Sequence, residues 1–366
     1  MPLDRRSLLA GLAGTTALAA SAQAQHAHHG APVFSTLQGS RPVELSPEQL
    51  RQRTLESPAP AGPAGSWQAK APLPLPRSEM AWATAFRDQM HVIGGYGEGR
   101  VDRPYHHVYD PKADRWIDAA PLPRGANHVA VVAMGDRVYA LGGFLEQNRK
   151  PDTNAFVWDP AEDKWRAIAP LARERGAASA VALDGKIHLI GGAALPERER
   201  ASVGWHEVYD PATDAWTLRK ALPGARDHAG TVAWGGRIYV IGGRFNTFEY
   251  NTGLHHVYLA DRDTWELRAP LPTPRSGHGL VILDDRFYAM GGEEGVWTNG
   301  QLAGRVFGQM ESYDPKTDTW QSHAPMLTPR HGLGAVLLGQ SIHVAGGGVV
   351  VGGGIQSSTH EAFTLG

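Results

Sequence analysis

The chain contains no cysteine in 366 residues. No disulfide can hold it together, so its folding needs no oxidative step in any compartment. It lacks a charge excess too: 35 Lys and Arg stand against 37 Asp and Glu, a formal net charge of −2. With that balance and no basic stretch it carries no electrostatic footprint for phosphate, and nucleic acid is not expected as a partner. Long apolar runs are also missing. The one candidate, Leu8 to Ala20, is weakly hydrophobic and broken by glycine and threonine, too poor for a permanent membrane span.

Glycine is abundant, with 44 residues, and it comes in pairs. Diglycines fall at Gly94-Gly95, Gly142-Gly143, Gly191-Gly192, Gly242-Gly243, Gly291-Gly292 and Gly346-Gly347, spaced by 48, 49, 51, 49 and 55 residues. Trp67, Trp116, Trp165, Trp216, Trp265 and Trp320 keep nearly the same spacing. Between each diglycine and the next tryptophan lies an aromatic: Tyr109, Trp158, Tyr209, Tyr258 and Tyr313. Each unit reads as a short apolar strand ending in two glycines, an aromatic strand ending in Asp-Pro, then a tryptophan strand. Leu259-Ala260 replaces Asp-Pro in one copy.

A period near 50 with these marks resembles the Kelch repeat, in which each copy folds as one four-stranded propeller blade. The resemblance covers residues 66 to 365 and rests on six agreeing copies. The expected fold is all-β, a six-bladed Kelch β-propeller. Glycine suits the crowded inner strands, and the ring aromatics suit the wedges between blades. Asp110-Pro111-Lys112-Ala113-Asp114 suits a type I turn; Gly135-Asp136, Asp184-Gly185 and Gly235-Gly236 suit tight hairpins. The first repeat mark is a lone tryptophan strand, Ser66 to Ala69. The last is a third strand, His360 to Thr364, with no tryptophan strand after it. The N-terminal strand is therefore expected to close the last blade, with Trp67 beside the C-terminal strand.

Residues 1–24 read as an export signal. Asp4-Arg5-Arg6-Ser7-Leu8-Leu9 resembles the twin-arginine motif, and Ala22-Gln23-Ala24 is a small-residue cleavage site. The expected location is periplasmic or secreted. Residues 25–65 form a tail rich in Ala, Pro, Gly and Ser, with one possible short helix from Pro47 to Leu55 capped by Ser46. Residues 66–366 are the propeller. The expected mature start carries His26, His28 and His29, which can bind metal but also suit a solvated polar tail.

Strand alternation puts the long loops between second and third strands on one face, together with the loops between blades. Ligands are expected there. The longest such loop, Glu293 to Gln309, is a candidate cover for the mouth. An arginine precedes each first strand: Arg77, Arg124, Arg175 (or Arg173), Arg226, Arg275 and Arg330. A ring of guanidiniums would bind a carboxylate or other anion. Equally, the arginines can brace loops by bonding backbone carbonyls. Tyr96, Trp205 and Trp297 lie in or beside the long loops and suit stacking on a sugar.

Histidine forms the other ring. His128, His228, His278 and His331 lie at first-strand starts, and His106, His107, His206, His255, His256 and His360 at third-strand starts. All ten are expected on the functional face. His91, His188 and His343 occupy a position filled by tyrosine in other blades and read as packing residues. No histidine pair has a spacing diagnostic of a metal motif, so no metal site or cofactor is assigned, although imidazoles converging across blades would suffice for zinc or copper.

Two branches of the family bear on function. Galactose oxidase propellers use a cysteine–tyrosine copper site, which a chain without cysteine cannot build. Periplasmic sialic acid mutarotases are similar six-bladed propellers, and that similarity implies acid, base and carboxylate-clamp roles, with Arg226, His228 and Glu207 as candidates. The leading expectation is recognition of a carbohydrate or small anionic ligand. A mutarotase or metal-dependent oxidoreductase, and a scaffold that binds a protein partner, remain the alternatives.

Overall fold

A computed structural model describes residues 33–34, 43–44, 59–80, 83–195, 200–298 and 301–365. The export signal, most of the tail and the helix expected over Pro47 to Leu55 lie outside them. Among the described residues no helix is long and apolar enough to cross a membrane.

Six four-stranded antiparallel sheets form the propeller. Blade 1 comprises Thr84–Phe86, Gln89–Ile93, His106–Asp110 and Arg115–Ala119, paired in that order. Blades 2 to 5 repeat this meander over 130–167, 179–218, 230–267 and 279–323. Blade 6 takes Gly334–Leu338, Ser341–Ala345 and His360–Thr364 from the C-terminal end and its outer strand, Ser66–Ala69, from the other end of the chain. Trp67 pairs with Phe363, their rings 5.3 Å apart. The sequence had placed both strands as found.

Alternation of side chains explains each strand. In Arg137–Leu141 four of five residues are buried, because neighbouring blades cover both faces of an inner strand. Outer strands such as Lys164–Ala167 bury only the tryptophan. Each tryptophan Nε1 donates to a carbonyl on the segment leaving the preceding blade: Trp116 to Ala71, Trp165 to Ala120, Trp216 to Ala169, Trp265 to Lys220 and Trp320 to Ala269, at 2.8–2.9 Å. Trp67 does the same to Ala324 at 2.8 Å, so the pattern runs round all six blades.

The turn between third and fourth strands adds a second clasp. Tyr109, Tyr209, Tyr258 and Tyr313 donate their hydroxyls to Asp114, Asp214, Asp263 and Asp318 at 2.6–2.8 Å. Trp158 serves in place of tyrosine on Asp163, at 3.0 Å. These aspartates sit at positive φ, 45–55°, which Asp tolerates better than most residues. Each then accepts a backbone N–H from the preceding interblade segment, as Ala120 to Asp163 at 2.8 Å.

The diglycines meet a harder requirement. In Gly142-Gly143 φ is 58° and 104°. A Cβ on Gly142 would lie 2.5 Å from the Arg175 carbonyl of the next blade, and one on Gly143 would lie 2.8 Å from the Asn127 carbonyl. The second glycine's N–H reaches across to that next blade, from Gly143 to Arg175 O at 3.0 Å and, closing the ring, from Gly347 to Arg77 O at 2.8 Å.

Trp165→Ala would open a gap between blades 1 and 2 and remove the bond to Ala120. It is expected to cost about 3–5 kcal/mol, read as a lower midpoint in denaturant unfolding.

Candidate functional site

Each first strand is preceded by three positions that turn the chain at the propeller axis. The third position is left-handed in every blade: Glu79, His128, Ala177, His228, Gly277 and Gly332, with φ from 51° to 65°. Four of the six are not glycine, a conformation that costs on the order of 1 kcal/mol per residue and marks functional positions when it persists. Backbone bonds tie successive positions into a chain. His128 N donates to Glu79 O, Ala177 N to His128 O, His228 N to Ala177 O, Gly277 N to His228 O and Gly332 N to Gly277 O, at 2.8–3.2 Å.

The position before it, occupied by Ser78, Asn127, Gly176, Asp227, Ser276 and His331, bridges to the residue after the diglycine: Tyr96, Phe144, Ala193, Arg244, Glu293 and Gly348. Three tiers of six residues therefore surround the axis on the long-loop face. Their polar members meet. His128 Nε2 lies 3.0 Å and His228 Nε2 4.0 Å from Glu79 Oε2. His331 Nδ1 lies 3.3 Å from both Glu79 Oε1 and Glu293 Oε2. Arg244 bonds Asp227 at 3.1 Å and Glu293 at 2.9 Å, and Arg200 bonds Asp227 at 2.7 Å. All but Arg200 are buried.

Electrostatics sort these groups. Burial pushes the Glu79 carboxyl up, but the His331 and His128 imidazoles, His128 also through a hydrogen bond, outweigh it and hold Glu79 far below the usual carboxylate range. Burial likewise opposes Asp227, and Arg200 with His228 and Arg244 keeps it ionised. His228 is pushed down to about 3, first by burial and then by Arg244, so its imidazole is neutral. A cavity of about 10 Å³, room for one water-sized species, is lined by Glu79, Ala177, His228, Gly277, His278, Gly332 and Leu333.

The arginine ring is a brace. Arg77, Arg175, Arg226, Arg275 and Arg330 are all buried. Arg226 donates to the carbonyls of Gly242, Val240, Pro223 and Gly224 at 2.8–3.1 Å. Arg175, Arg275 and Arg330 each bond a second-strand carbonyl and pair with Glu207, Glu311 and Glu361 at 2.6–2.9 Å. Arg77 bonds the Gly94 carbonyl at 2.9 Å and His107 Nδ1 at 2.8 Å. Arg124 stands two residues before the equivalent position, which Ala126 fills, and pairs with Asp152. Blade 2 lacks both members of the pair, since Phe156 replaces the acceptor. The five buried arginines present no guanidinium to a ligand, and burial explains why: each loop carbonyl turned inward needs a donor.

The trio Arg226, His228 and Glu207 is likewise not assembled. His228 belongs to the axis, Arg226 to its own loop, and Glu207 to Arg175 and Arg173, 2.8 Å from each. Of the third-strand histidines, His106, His206, His255 and His360 point into the blade wedges instead of the functional face, and His107 bonds Arg77 and Asp118 of its own blade. His206, His255 and His360 donate through Nδ1 to the carbonyls of Lys220, Ala269 and Ala71 at 3.0–3.3 Å. His106, His206, His255 and His360 pack edge-on against Trp158, Tyr258, Tyr313 and Tyr109 of the next blade. His91, His188 and His343 bond them within blades at 2.8–3.0 Å.

Among the aromatics, Tyr96 is buried with its ring edge-on to His128. Trp205 is covered by Arg173, 4.3 Å from its ring. Trp297 lies in the hairpin Glu293–Thr298 and Gln301–Val306, but its side chain is outside the described residues. That hairpin packs on Phe248–Tyr250 and Val351–Gly353 of the flanking loops. Sequence reading missed Glu79, Glu293 and Arg244. Their only signal is departure from the other copies at repeat-equivalent positions.

Comparison with known proteins agrees with the blades. A family profile, the KLHDC2/KLHL20/DRC7 Kelch-repeats domain, matches residues 127–348. Kelch-like protein terF of Aspergillus terreus is 30% identical over 318 residues, covering 82% of this chain and 67% of its own. Kelch-like protein 24 of Rattus norvegicus is 44% identical over 181 residues, 49% of this chain but only 28% of that protein. A solved structure of YjhT superposes with a TM-score of 0.66 at 14% identity, covering 80% of this chain and 96% of its own. The chain belongs to the Kelch-repeat family.

Arg330→Ala would leave Glu361 buried without its cation and three loop carbonyls without a donor. A loss of about 3–5 kcal/mol is expected in equilibrium unfolding. Arg226→Ala should likewise lower the melting temperature. A separate expectation concerns pH. His91, His188 and His343 are pushed down to about 4 by burial. Unfolding lets them take up protons near their ordinary value of 6.5. Their stabilisation is therefore complete above that pH and is lost as pH falls toward 4, by about 1.4 kcal/mol per pH unit per proton taken up. Melting temperatures across that window should fall with acid, and His188→Gln should flatten the slope.

Proposed function

We propose that this Kelch propeller is exported by the twin-arginine route and recognises a small hydroxyl-rich ligand, a carbohydrate, at the axial mouth of its long-loop face. One observation carries the reading. Asp227, His228, Arg244, Glu293 and His331 converge with Glu79 at positions where the other copies have Ala, Gly, Ser, Asn, His or an aromatic. Blade geometry does not demand them, and burying such groups is costly unless they serve a site.

The charge pattern refines the ligand class. Three carboxylates, Glu79, Asp227 and Glu293, face two guanidiniums, Arg200 and Arg244, with His228 neutral. A site of alternating carboxylates and guanidiniums suits hydroxyls, which can donate to carboxylates and accept from arginine. With room beneath for only one water-sized species, a sugar belongs above this layer, against the rims of the loops. A protein partner on the same face is the second reading, favoured by exposed Val101, Val350 and Ile355 beside the contact from Arg100 to the Gly352 carbonyl.

A calorimetric screen of neutral, amino and acidic monosaccharides against the purified chain tests the proposal. A neutral or amino sugar is expected to bind, and Glu293→Gln to weaken it about 10-fold or more, the loss expected for one hydrogen bond to a charged group. Binding of acidic sugars alone, or binding indifferent to that change, would overturn it.

A further inference from the structure

We propose that the axis also holds a divalent transition-metal ion, ligated by Glu79 and by the Nε2 atoms of His128 and His228. This site stands on its own geometry and does not require the carbohydrate reading. The three donors come from blades 1, 2 and 4, and their ligating atoms all lie within 4.8 Å of one another. Around a tetrahedral ion with bonds of about 2.0–2.2 Å, neighbouring donors stand about 3.3 Å apart. Here the two imidazole nitrogens lie 3.0 and 4.0 Å from the shared carboxylate oxygen.

Hydrogen bonding aims both imidazoles. The Asn127 amide nitrogen donates to Asp102 at 2.7 Å and to the Phe144 carbonyl at 3.2 Å, which leaves its oxygen facing His128 Nδ1. An amide oxygen only accepts, so Nδ1 carries the hydrogen and, in the neutral ring, Nε2 presents a lone pair to Glu79. Asp227 accepts from His228 Nδ1 at 2.5 Å and imposes the same tautomer. Both Nε2 atoms then lie beside the same Glu79 oxygen, the His228 nitrogen also within 3.2 Å of Arg244 Nη2. A carboxylate or carbonyl behind each imidazole is the support that metal-ligating histidines regularly carry.

Three further observations point to an occupant. Glu79 Oε2 is buried with two imidazole nitrogens, at 3.0 and 4.0 Å, as its polar neighbours. Glu79, His128 and His228 all hold left-handed backbone, which glycine relieves in blades 5 and 6. At blade 6 a Cβ on Gly332 would lie 2.6 Å from Glu79 Oε2, so the glycine keeps that oxygen's surroundings open. Arg244 Nη2, 3.2 Å from His228 Nε2, gives up that contact on metal binding and keeps its bonds to Asp227 and Glu293. The trio Glu79, Glu293 and His331 is a poorer candidate, because Glu293 is already engaged by Arg244 and by the Gly352 N–H.

Nitrogen and carboxylate donors suit zinc and cobalt(II), which serve as probes. Purified chain stripped with chelator is titrated with each ion and followed by calorimetry, and by visible absorption for cobalt. One ion per chain is expected, with a cobalt spectrum of low-coordinate N/O ligation and a zinc-dependent rise in melting temperature. Glu79→Gln and His128→Ala should abolish all three signals, and Asn127→Ala should weaken binding about 10–100-fold. The near-isosteric Glu79→Gln variant, with unfolding checked by circular dichroism, keeps loss of the site distinct from loss of the fold. The tail histidines supply the rival source. Replacing His26, His28 and His29 by alanine must leave the stoichiometry unchanged. Binding that vanishes with the tail, persists in Glu79→Gln, or is absent in the parent chain would overturn the proposal.

Discussion

Everything in this propeller depends on closing a ring. A blade covers its inner strands only if a neighbour stands on each side, and a row of blades with free ends would leave two sheet faces bare. The ring is closed by taking the outer strand of blade 6 from residues before blade 1, so Trp67 clasps Ala324 as every other tryptophan clasps its own preceding segment. Gly347 and Arg77 repeat the closure nearer the axis. Both seams thus use the contacts found between the other blades, and the first and last strands of the propeller are joined as the internal blades are.

Closure also makes the site. Six equivalent turns are brought to one axis, where a chain of backbone bonds fixes them within van der Waals reach of one another. Residues remote in sequence, such as Glu79, His228 and His331, then share one desolvated space. In every blade but the second, the arginine beneath the turn satisfies carbonyls left inside. Its burial is the condition for a rigid axial layer, and the same burial keeps it from binding a ligand.

Histidine shows how far position outweighs residue type. In the wedges it behaves as a polar aromatic, packed against tyrosine or tryptophan, bonded to a carbonyl and kept neutral by burial. At the axis the same side chain faces carboxylates from other blades. Both sets recur at regular places in the repeat, so periodicity alone could not separate them.

The sequence by itself determined the blade count, the strand order and the closing strand. Those features follow from local patterns repeated six times: glycine pairs that tolerate positive φ, alternating apolar strands, and a tryptophan at a constant interval. It also marked the long-loop face. Reading the recurrent arginines as a possible ligand ring went astray because residues that agree between copies are those every blade needs to fold. The axial groups are the residues in which the copies differ. Glu79 stands where other blades have His, Ala or Gly, and Glu293 where they have Tyr, Phe, Ala, Arg or Gly. A single departure of that kind has no meaning along the chain. Only the tertiary structure, by superposing six turns on one axis, sets the departures against each other at hydrogen-bonding distance, where desolvation and charge make them a site.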